Sequence, residues 1–378
     1  MSRAASRALA PLDEALALLA RLAAPVAPRT TPLAAAIGFV SAADALAPAD
    51  VPARRTALRD GWAVEAASVT GASPYAPVTP RWPPVWVEAG APLPDGADVV
   101  LPPEALVGRE IVEDAPALEG VRGIGDEMRA GALLLGAGER LTPMRYMALA
   151  AAGVASIAIR APRLRLIMTG APAPAAGDAL SAALAAMSAA AGGVVEPVAV
   201  PDDAGRIAEG IGSAGADAIL VVGGTGEGRT DRSAEALAAA GELMLHGLAL
   251  RPGETAGVGA AAGRPVLLSP GRPEAALAVF ITLLRPLLGM LSGAEAPAAE
   301  RLSGAEAPAA ERALLTRKIT STIGLAEVVF VRRVAGGAEP LGGAGLPIAQ
   351  LLRADGAVLV NPGREGYPER AEIEVTPL

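Results

Sequence analysis

The hydrophobic pattern of the chain changes period several times, and each change predicts a different element. Near the N-terminus Leu12, Leu16, Leu18, Leu19 and Leu22 recur around Asp13, Glu14 and Arg21, the 3.6-residue spacing of an amphipathic helix. Residues 1–45 therefore read as helical, with a Pro-rich break from Ala24 to Pro32. Over 46–141 the pattern shortens to β-type runs (WAVEAASV, PVWVEAG, DVVLPPEAL) punctuated by Pro and Gly, which predicts a small β-rich domain. Pro143 to Ile159 reads as helix again, so 142–162 joins 1–45 in a helical linker domain. Residues 163–290 alternate strands (LRLIMTG, VVEPVAV, AILVVGG, RPVLLSPG) with alanine-rich helices. That alternation predicts βαβ units and a mostly parallel sheet covered by helices, the fold class being multi-domain α/β. The peptide LSGAEAPAAER then occurs twice in succession over 291–312. Pro297 and Pro308 make it a duplicated linker, expected to be exposed and mobile. β-type runs return in 313–378 (AEVVFVRRV, GAVLVNPG, RAEIEVTPL) and predict a small C-terminal β-barrel.

Composition narrows the function classes. At 378 residues and 52% hydrophobic, the chain can bury several cores, yet aromatics make up only 2%. Aromatic platforms for single-stranded nucleic acid are therefore not expected, and a net charge of -8 offers no basic footprint for DNA or RNA. Absence of cysteine removes disulfides, thiolate zinc sites and thiol catalysis. The single histidine, His246, cannot build a His-rich metal site and reads as a strand-edge or loop residue. Apolar runs are broken by Arg, Glu, Pro and Gly before reaching the roughly 18 residues of a membrane span, and the N-terminal leucines read as part of the fold rather than as a presequence. The expectation is a cytoplasmic protein without a membrane partner.

The densest chemistry lies in ADAILVVGGTGEGRTD, Ala216 to Asp231, where an apolar strand runs into four glycines within six residues, Gly223, Gly224, Gly226 and Gly228. Such a loop lets backbone N–H groups converge on an anion at the start of a helix. It lacks both the GxGxxG spacing and a P-loop lysine, so an ordinary glycine-rich strand-to-helix turn stands beside the phosphate-reading one. A nicotinamide-dependent oxidoreductase fits poorly, because no acidic residue follows about 20 positions on in a proper Rossmann unit. Several acids also carry two readings. Asp231 reads as an N-cap or as a ligand, and Asp202 with Asp203 as caps of the helix beginning at Ala204 or as acids of a site. Asp60 before Gly61 reads as a turn residue, and Thr169 ends a strand or binds a ligand.

Six segments in order over more than half of the chain resemble the molybdopterin molybdenumtransferase family, related to the E domain of gephyrin. TALRDGWAV (Thr56 to Val64) resembles its S-A-M-D-G-Y-A, and GAPLPDGADVV (Gly90 to Val100) its T-G-A-x-x-P-x-G-A-D-x-V. GDEMRAGALLLGAGERL (Gly125 to Leu141) is similar to G-E-D-I-x-x-G-x-x-x-x-x-G-x-x-L, and VVGGTGEGRTD to S-G-G-V-S-x-G-x-x-D. LALRPGETAGVG with SPGRPEAALAVF resembles the pair K-P-G-K-P and L-P-G-N-P-V-S-A, and QLLRADGAVLV the L-x-R-A-D-G-x-x-x-V of some members.

The resemblance implies a central molybdopterin-binding-type α/β domain and insertion of molybdate into adenylylated molybdopterin, with Mg²⁺ and release of AMP. It implies a homodimer whose cleft lies between the α/β domain of one subunit and the β domain of the other, a small-molecule pterin ligand, and other molybdenum cofactor proteins as partners. It assigns catalytic roles to Asp60, Glu127, Asp203 and Asp231, and metal binding to Asp203 and Asp231. Ligand contacts fall to Thr169, Gly170, Gly223, Gly224, Gly228, Arg251, Gly271 and Arg272. Departures from the pattern put full activity in doubt. Ala89 replaces a threonine, Ala171 and Pro172 replace both acids of T-G-D-E, and Arg251 keeps the first lysine's charge. Glu254 replaces the second lysine, Arg272 an asparagine and Ala275 a serine. A non-catalytic molybdopterin- or nucleotide-binding carrier is the competing expectation.

Overall fold

A computed structural model describes residues 8–170, 179–226, 228–294 and 311–378. Ala171, Pro172 and most of the duplicated 291–312 segment lie outside the described residues.

Strand-helix alternation after residue 162 produces one six-stranded sheet. Its order in space is Val194–Val200, Arg163–Thr169, Ala218–Val222, Arg264–Ser269, Gly257–Ala261, Glu242–His246. The first four strands are parallel and the last two antiparallel. Because side chains alternate across a strand, Leu164, Leu166, Leu220, Val222 and Leu267 enter one core, while Ile167, Ile219, Val221, Val266 and Leu268 enter the other. Helices Ala204–Gly212 and Ser233–Ala240 cover the second face through Ile207, Ile211, Ala236 and Leu237. The first face is covered by helix Leu12–Leu22 and by the long helical run Pro273–Ser292. That run is the one helix among the described residues long and apolar enough to cross a membrane, but 83% of it is buried inside the protein, as expected of a core helix.

Chain order sets the position of the site. From Arg163–Thr169 the chain moves outward to Val194–Val200, then returns past its starting strand to Ala218–Val222. The strands that follow these two adjacent strands in the chain thus lie to opposite sides of them, which makes their carboxyl ends the topological switch point of a doubly wound sheet, where a crevice forms.

Two helical expectations are corrected. Among the described residues of 1–45 only Leu12–Leu22 is α-helix, joined by one short 3₁₀ turn, Leu33–Ala36. Arg29–Pro32 and Val40–Ser41 are strands that flank Ser156–Arg160 in a three-stranded antiparallel sheet. The helix predicted over Pro143 to Ile159 stops at Ala151, since Gly153 takes φ +78, the left-handed conformation that closes a helix. Beyond it Ile157 and Ile159 alternate inward with period two, a strand signal masked by the alanines before it. The expected helical linker domain is therefore one core helix, one short helix and a small sheet.

In the β-rich region, Gly61–Val64 lies between the edge strand Val85–Val87 and Val99–Leu101. At the C-terminus, Ala326–Val334 pairs with Gly337–Gly342 and Gly356–Val360, and Glu372–Pro377 carries the sheet on to Glu311–Leu314. A bridge from Leu315 to Ala338 brings the far edge back to the near one. One face of Ala326–Val334 supplies Val329 and Val331 to a local core, and the other supplies Val328 and Phe330 to the central one. Parallel pairing of Leu250–Arg251 with Ala326–Glu327 ties this domain to the loop that carries Arg251.

Candidate functional site

Three adjacent parallel strands end side by side, at Thr169, Val222 and Ser269, and each releases a glycine-bearing turn at the carboxyl edge. Gly223 stays within the sheet's hydrogen bonding, its N–H donating to Ser269 O at 2.9 Å. With φ +99 it holds a conformation suited to glycine, and a Cβ there would lie 2.6 Å from Thr169 Oγ1. Gly224 follows at φ +60, and a Cβ on Gly271 would lie 3.4 Å from Gly223 Cα. Three expected ligand segments, Thr169–Gly170, Gly223–Gly224 and Gly271–Arg272, thus meet in one crevice.

Side chains absent from the sequence-based set hold this crevice in shape. Buried Ser233, opening the helix after the loop, donates its Oγ–H to Gly223 O (2.7 Å) and its N–H to Gly224 O (2.9 Å). Thr225 Oγ1 meets Thr255 Oγ1 at 2.9 Å and so binds the glycine loop to the loop that follows Arg251. His246, the last residue of the edge strand, contacts Thr225 O through Nε2 at 2.9 Å. These residues are hydroxyls and an imidazole adjacent to expected elements. Thr225 and His246 stand beside glycines, while Ser233 and Thr255 carry no signal in the sequence, since no pattern of period or charge distinguishes them.

The acids divide by role. Asp231 Oδ2 accepts from Gly228 N at 2.7 Å and closes the glycine loop; it does not cap the helix, whose N-cap is Arg232. Asp203 is an N-cap, accepting from Arg206 N at 2.9 Å, while Asp202 Oδ2 lies 3.8 Å from the position a Cβ on Gly170 would take. Asp60 and Glu127 sit apart in the β-rich domain, Asp60 accepting from Ala89 N at 2.7 Å and Glu127 paired with Arg122. Among the described residues no group of three or more His, Asp or Glu is arranged to hold a metal. Asp203 and Asp231 each use an oxygen on a backbone N–H in separate loops. The fit to a resident Mg²⁺ is therefore poor.

Arg251 and Arg272 are each paired with an acid close by in the chain. Arg251 Nε lies 3.0 Å from Glu254 Oε1, and Glu254 also accepts from Gly253 N at 3.1 Å. Partial burial acts to raise the Glu254 pKa, but the Arg251 hydrogen bond, the backbone N–H groups of Glu254 and Gly253 and the Arg251 charge outweigh it and hold the carboxyl below its usual value. Arg272 Nε lies 3.3 Å from Glu274, which is itself buried and accepts from Gly345 N of the C-terminal domain. Glu254 stands where the resemblance implies a lysine. Here it cancels the neighbouring cation instead, and Arg272 does not restore a free charge.

Comparison with known proteins matches this architecture along its length. Residues 10–153 fit the family model of the MoeA N-terminal region (domain I and II), and residues 167–290 fit the model described as "Probable molybdopterin binding domain". Molybdopterin molybdenumtransferase 2 of Mycobacterium tuberculosis is 30% identical over 314 residues, covering 71% of this chain and 76% of that one. The molybdopterin molybdenumtransferase of Synechococcus elongatus is 30% identical over 320 residues, covering 74% and 79%. A solved molybdopterin biosynthesis MoeA protein from Pyrococcus horikoshii superposes with a TM-score of 0.75 at 26% identity, covering 98% of this chain and 99% of that one. Sequence, family models and fold agree that this chain belongs to the MoeA family of molybdopterin molybdenumtransferases.

Proposed function

We propose that the chain works in molybdenum cofactor biosynthesis by the reaction its relatives are named for: molybdenum from molybdate is placed on molybdopterin, presented in adenylylated form, and AMP leaves. The observation that carries this reading is the meeting of the Thr169, Gly223 and Gly271 turns at the switch point, beside a helix N-terminus. Backbone N–H groups there suit phosphate and molybdate oxygens, which need donors and no bulk. Thr169, Gly170, Gly223, Gly224, Gly228 and Gly271 shape the anion cradle in this reading, with Arg251 and Arg272 at its rim; the N–H groups of Gly170, Gly223 and Gly228 are engaged by Val200 O, Ser269 O and Asp231, so the donors are those of Gly224 and Gly271. Asp203 and Asp231 shape the loops. Mg²⁺ enters as an ion brought by the substrate phosphates, and no step is assigned to it.

Asp60 and Glu127 complete the site when a second copy supplies its β-rich domain, so the working form in this reading is a homodimer. Its setting is the cytoplasm, and its further partners are other molybdenum cofactor proteins. The units are the β-rich domain (46–141), the α/β domain (163–290), the duplicated linker (291–312) and a C-terminal domain (313–378) that the Leu315–Ala338 bridge supports as a barrel.

A second reading, a carrier that binds molybdopterin or a nucleotide without inserting metal, is favoured by one observation. The pairs Arg251–Glu254 and Arg272–Glu274 leave the rim without a free cation from these two loops. Incubating the full chain with adenylylated molybdopterin, Mg²⁺ and molybdate separates the two. Slow AMP release is expected; binding without release supports the carrier, and absence of both removes the proposal.

A further inference from the structure

Aromatic residues are scarce in this chain, yet all three tryptophans and one of three tyrosines fall between residues 62 and 86, in the β-rich domain. Trp62 and Trp86 are direct cross-strand partners on Gly61–Val64 and the edge strand Val85–Val87. Their rings meet edge to face, with centroids 5.1 Å apart and planes at 76°. Both indoles are held. Trp62 Nε1 donates to Pro103 O at 3.0 Å, and Trp86 Nε1 to Glu88 Oε1 at 3.0 Å. Trp86 nevertheless remains 42% exposed, a large cost for an aromatic ring that could have been turned into the core.

Strand pairing decides what surrounds this ring. Gly61 pairs with Val87 and Trp62 with Trp86, so Asp60, just before the first strand, and Glu88, just after the second, lie at the same end of the pair, each two residues along the chain from an indole. The Glu88–Trp86 hydrogen bond agrees with that placement. Asp60 Oδ1 accepts from Ala89 N, and among the described residues no hydrogen bond reaches its Oδ2. A fixed, half-exposed indole with two carboxylates at its margin is complementary to a flat heterocycle whose edge carries N–H donors. It repels phosphate and molybdate.

We propose that the Trp62–Trp86 face is a stacking site for the pterin ring, with Trp86 against the ring and Asp60 or Glu88 accepting from its 2-amino and N3–H edge. The inference rests on the reading above that the substrate carries a pterin. It adds a division of labour: the α/β crevice takes the anionic part of the ligand and the β-rich domain the flat part. A two-donor edge on one carboxylate supplies orientation, and stacking supplies affinity that depends little on substituents.

Calorimetric titration of the full chain with free pterin, with lumazine (the 2-oxo analogue that lacks the amino group) and with AMP tests this. Pterin is expected to bind at least tenfold tighter than lumazine. Trp86→Ala should weaken pterin binding by tenfold or more, Trp86→Phe by less than about threefold, and Trp82→Ala not at all. AMP binding should be unchanged in every variant, which reports that the α/β domain is intact, and an unchanged thermal unfolding profile reports the same of the β-rich domain. Pterin binding by Trp86→Ala at the level of the unaltered chain, or equal binding of lumazine and pterin, overturns the stacking site. Binding of AMP without pterin overturns it too while leaving the proposed function in place, whereas failure to bind either ligand counts against both.

Discussion

Arg251 and Glu254 are joined within a single turn of chain, Nε to Oε1 at 3.0 Å, directly beside the loop that Thr255 ties to Thr225. The resemblance to relatives implies two cations in this segment, and the chain has one cation with its own counter-ion. A unit charge 4 Å from an anion is worth about 4 kcal/mol at an effective dielectric of 20, and solvent at this half-exposed rim reduces the figure. If the crevice takes oxyanions as proposed, this pair governs how strongly Arg251 attracts them.

Metal insertion by the unaltered chain should be slow, at least about a thousandfold below relatives that keep both lysines, because several kcal/mol of transition-state stabilisation are missing at about 1.4 kcal/mol per decade. Glu254→Lys should recover about tenfold or more in AMP release, and Glu254→Gln a smaller part by freeing Arg251. Single-turnover AMP release measures all three. Turnover by the unaltered chain equal to that of lysine-bearing relatives would show the neutralised rim to be irrelevant.

The same pair predicts a pH dependence. The Glu254 pKa is lowered on folding, so its contribution to stability is present above the ordinary carboxylate value near 4.5 and is lost as pH falls through the lower folded value. Denaturation curves of the unaltered chain and Glu254→Gln should therefore separate above about pH 4.5 and converge below the folded value. A constant difference across that range would mean that the ion pair adds nothing.

Gly223→Ala should cost roughly 1–3 kcal/mol, since it combines a positive φ with a Cβ 2.6 Å from Thr169 Oγ1. Adding Thr169→Ala should return the part due to collision and leave the part due to φ. Thermal unfolding of the single and double variants reads this directly, and an unaffected single variant would refute the close approach.

Thr225→Val keeps volume but strands the Thr255 hydroxyl and loosens the glycine loop from its neighbour. Loss of about 1–3 kcal/mol in chemical denaturation, with weaker AMP binding, is the expected result. Weaker binding with unchanged stability would place the hydroxyl in ligand contact instead.

Light scattering at micromolar concentration should give twice the 37.5 kDa chain mass, because Asp60 and Glu127 reach a crevice only through a second copy in the proposed arrangement. A mass of one chain alone would remove both acids from the site.

Much of this architecture is legible in one dimension. Continuous apolar runs such as AILVV and RPVLLS, separated by alanine-rich helices, already specify a layered sheet, since a strand with apolar residues on both sides must be covered on both faces. Glycine density marks the loop after Val222 for a similar reason, because backbone approach without Cβ is a local property. The SIAIR strand was hidden because the helix-favouring alanines before it run the helical pattern on into it, and only pairing with Arg29–Pro32 and Val40–Ser41 decides between them.

By itself, then, the sequence determined the layered α/β class, the glycine loop and the charges available to it, all consequences of local spacing and side-chain type. Tertiary structure alone decided which charges cancel and which loops meet. Glu254 closing onto Arg251, Glu274 reaching Gly345 from 71 residues away, and Thr225 meeting Thr255 each depend on the path of the chain in space. Hydrogen bonds and ion pairs act over a few ångströms, and separation along the chain carries no information about that distance until the sheet has formed.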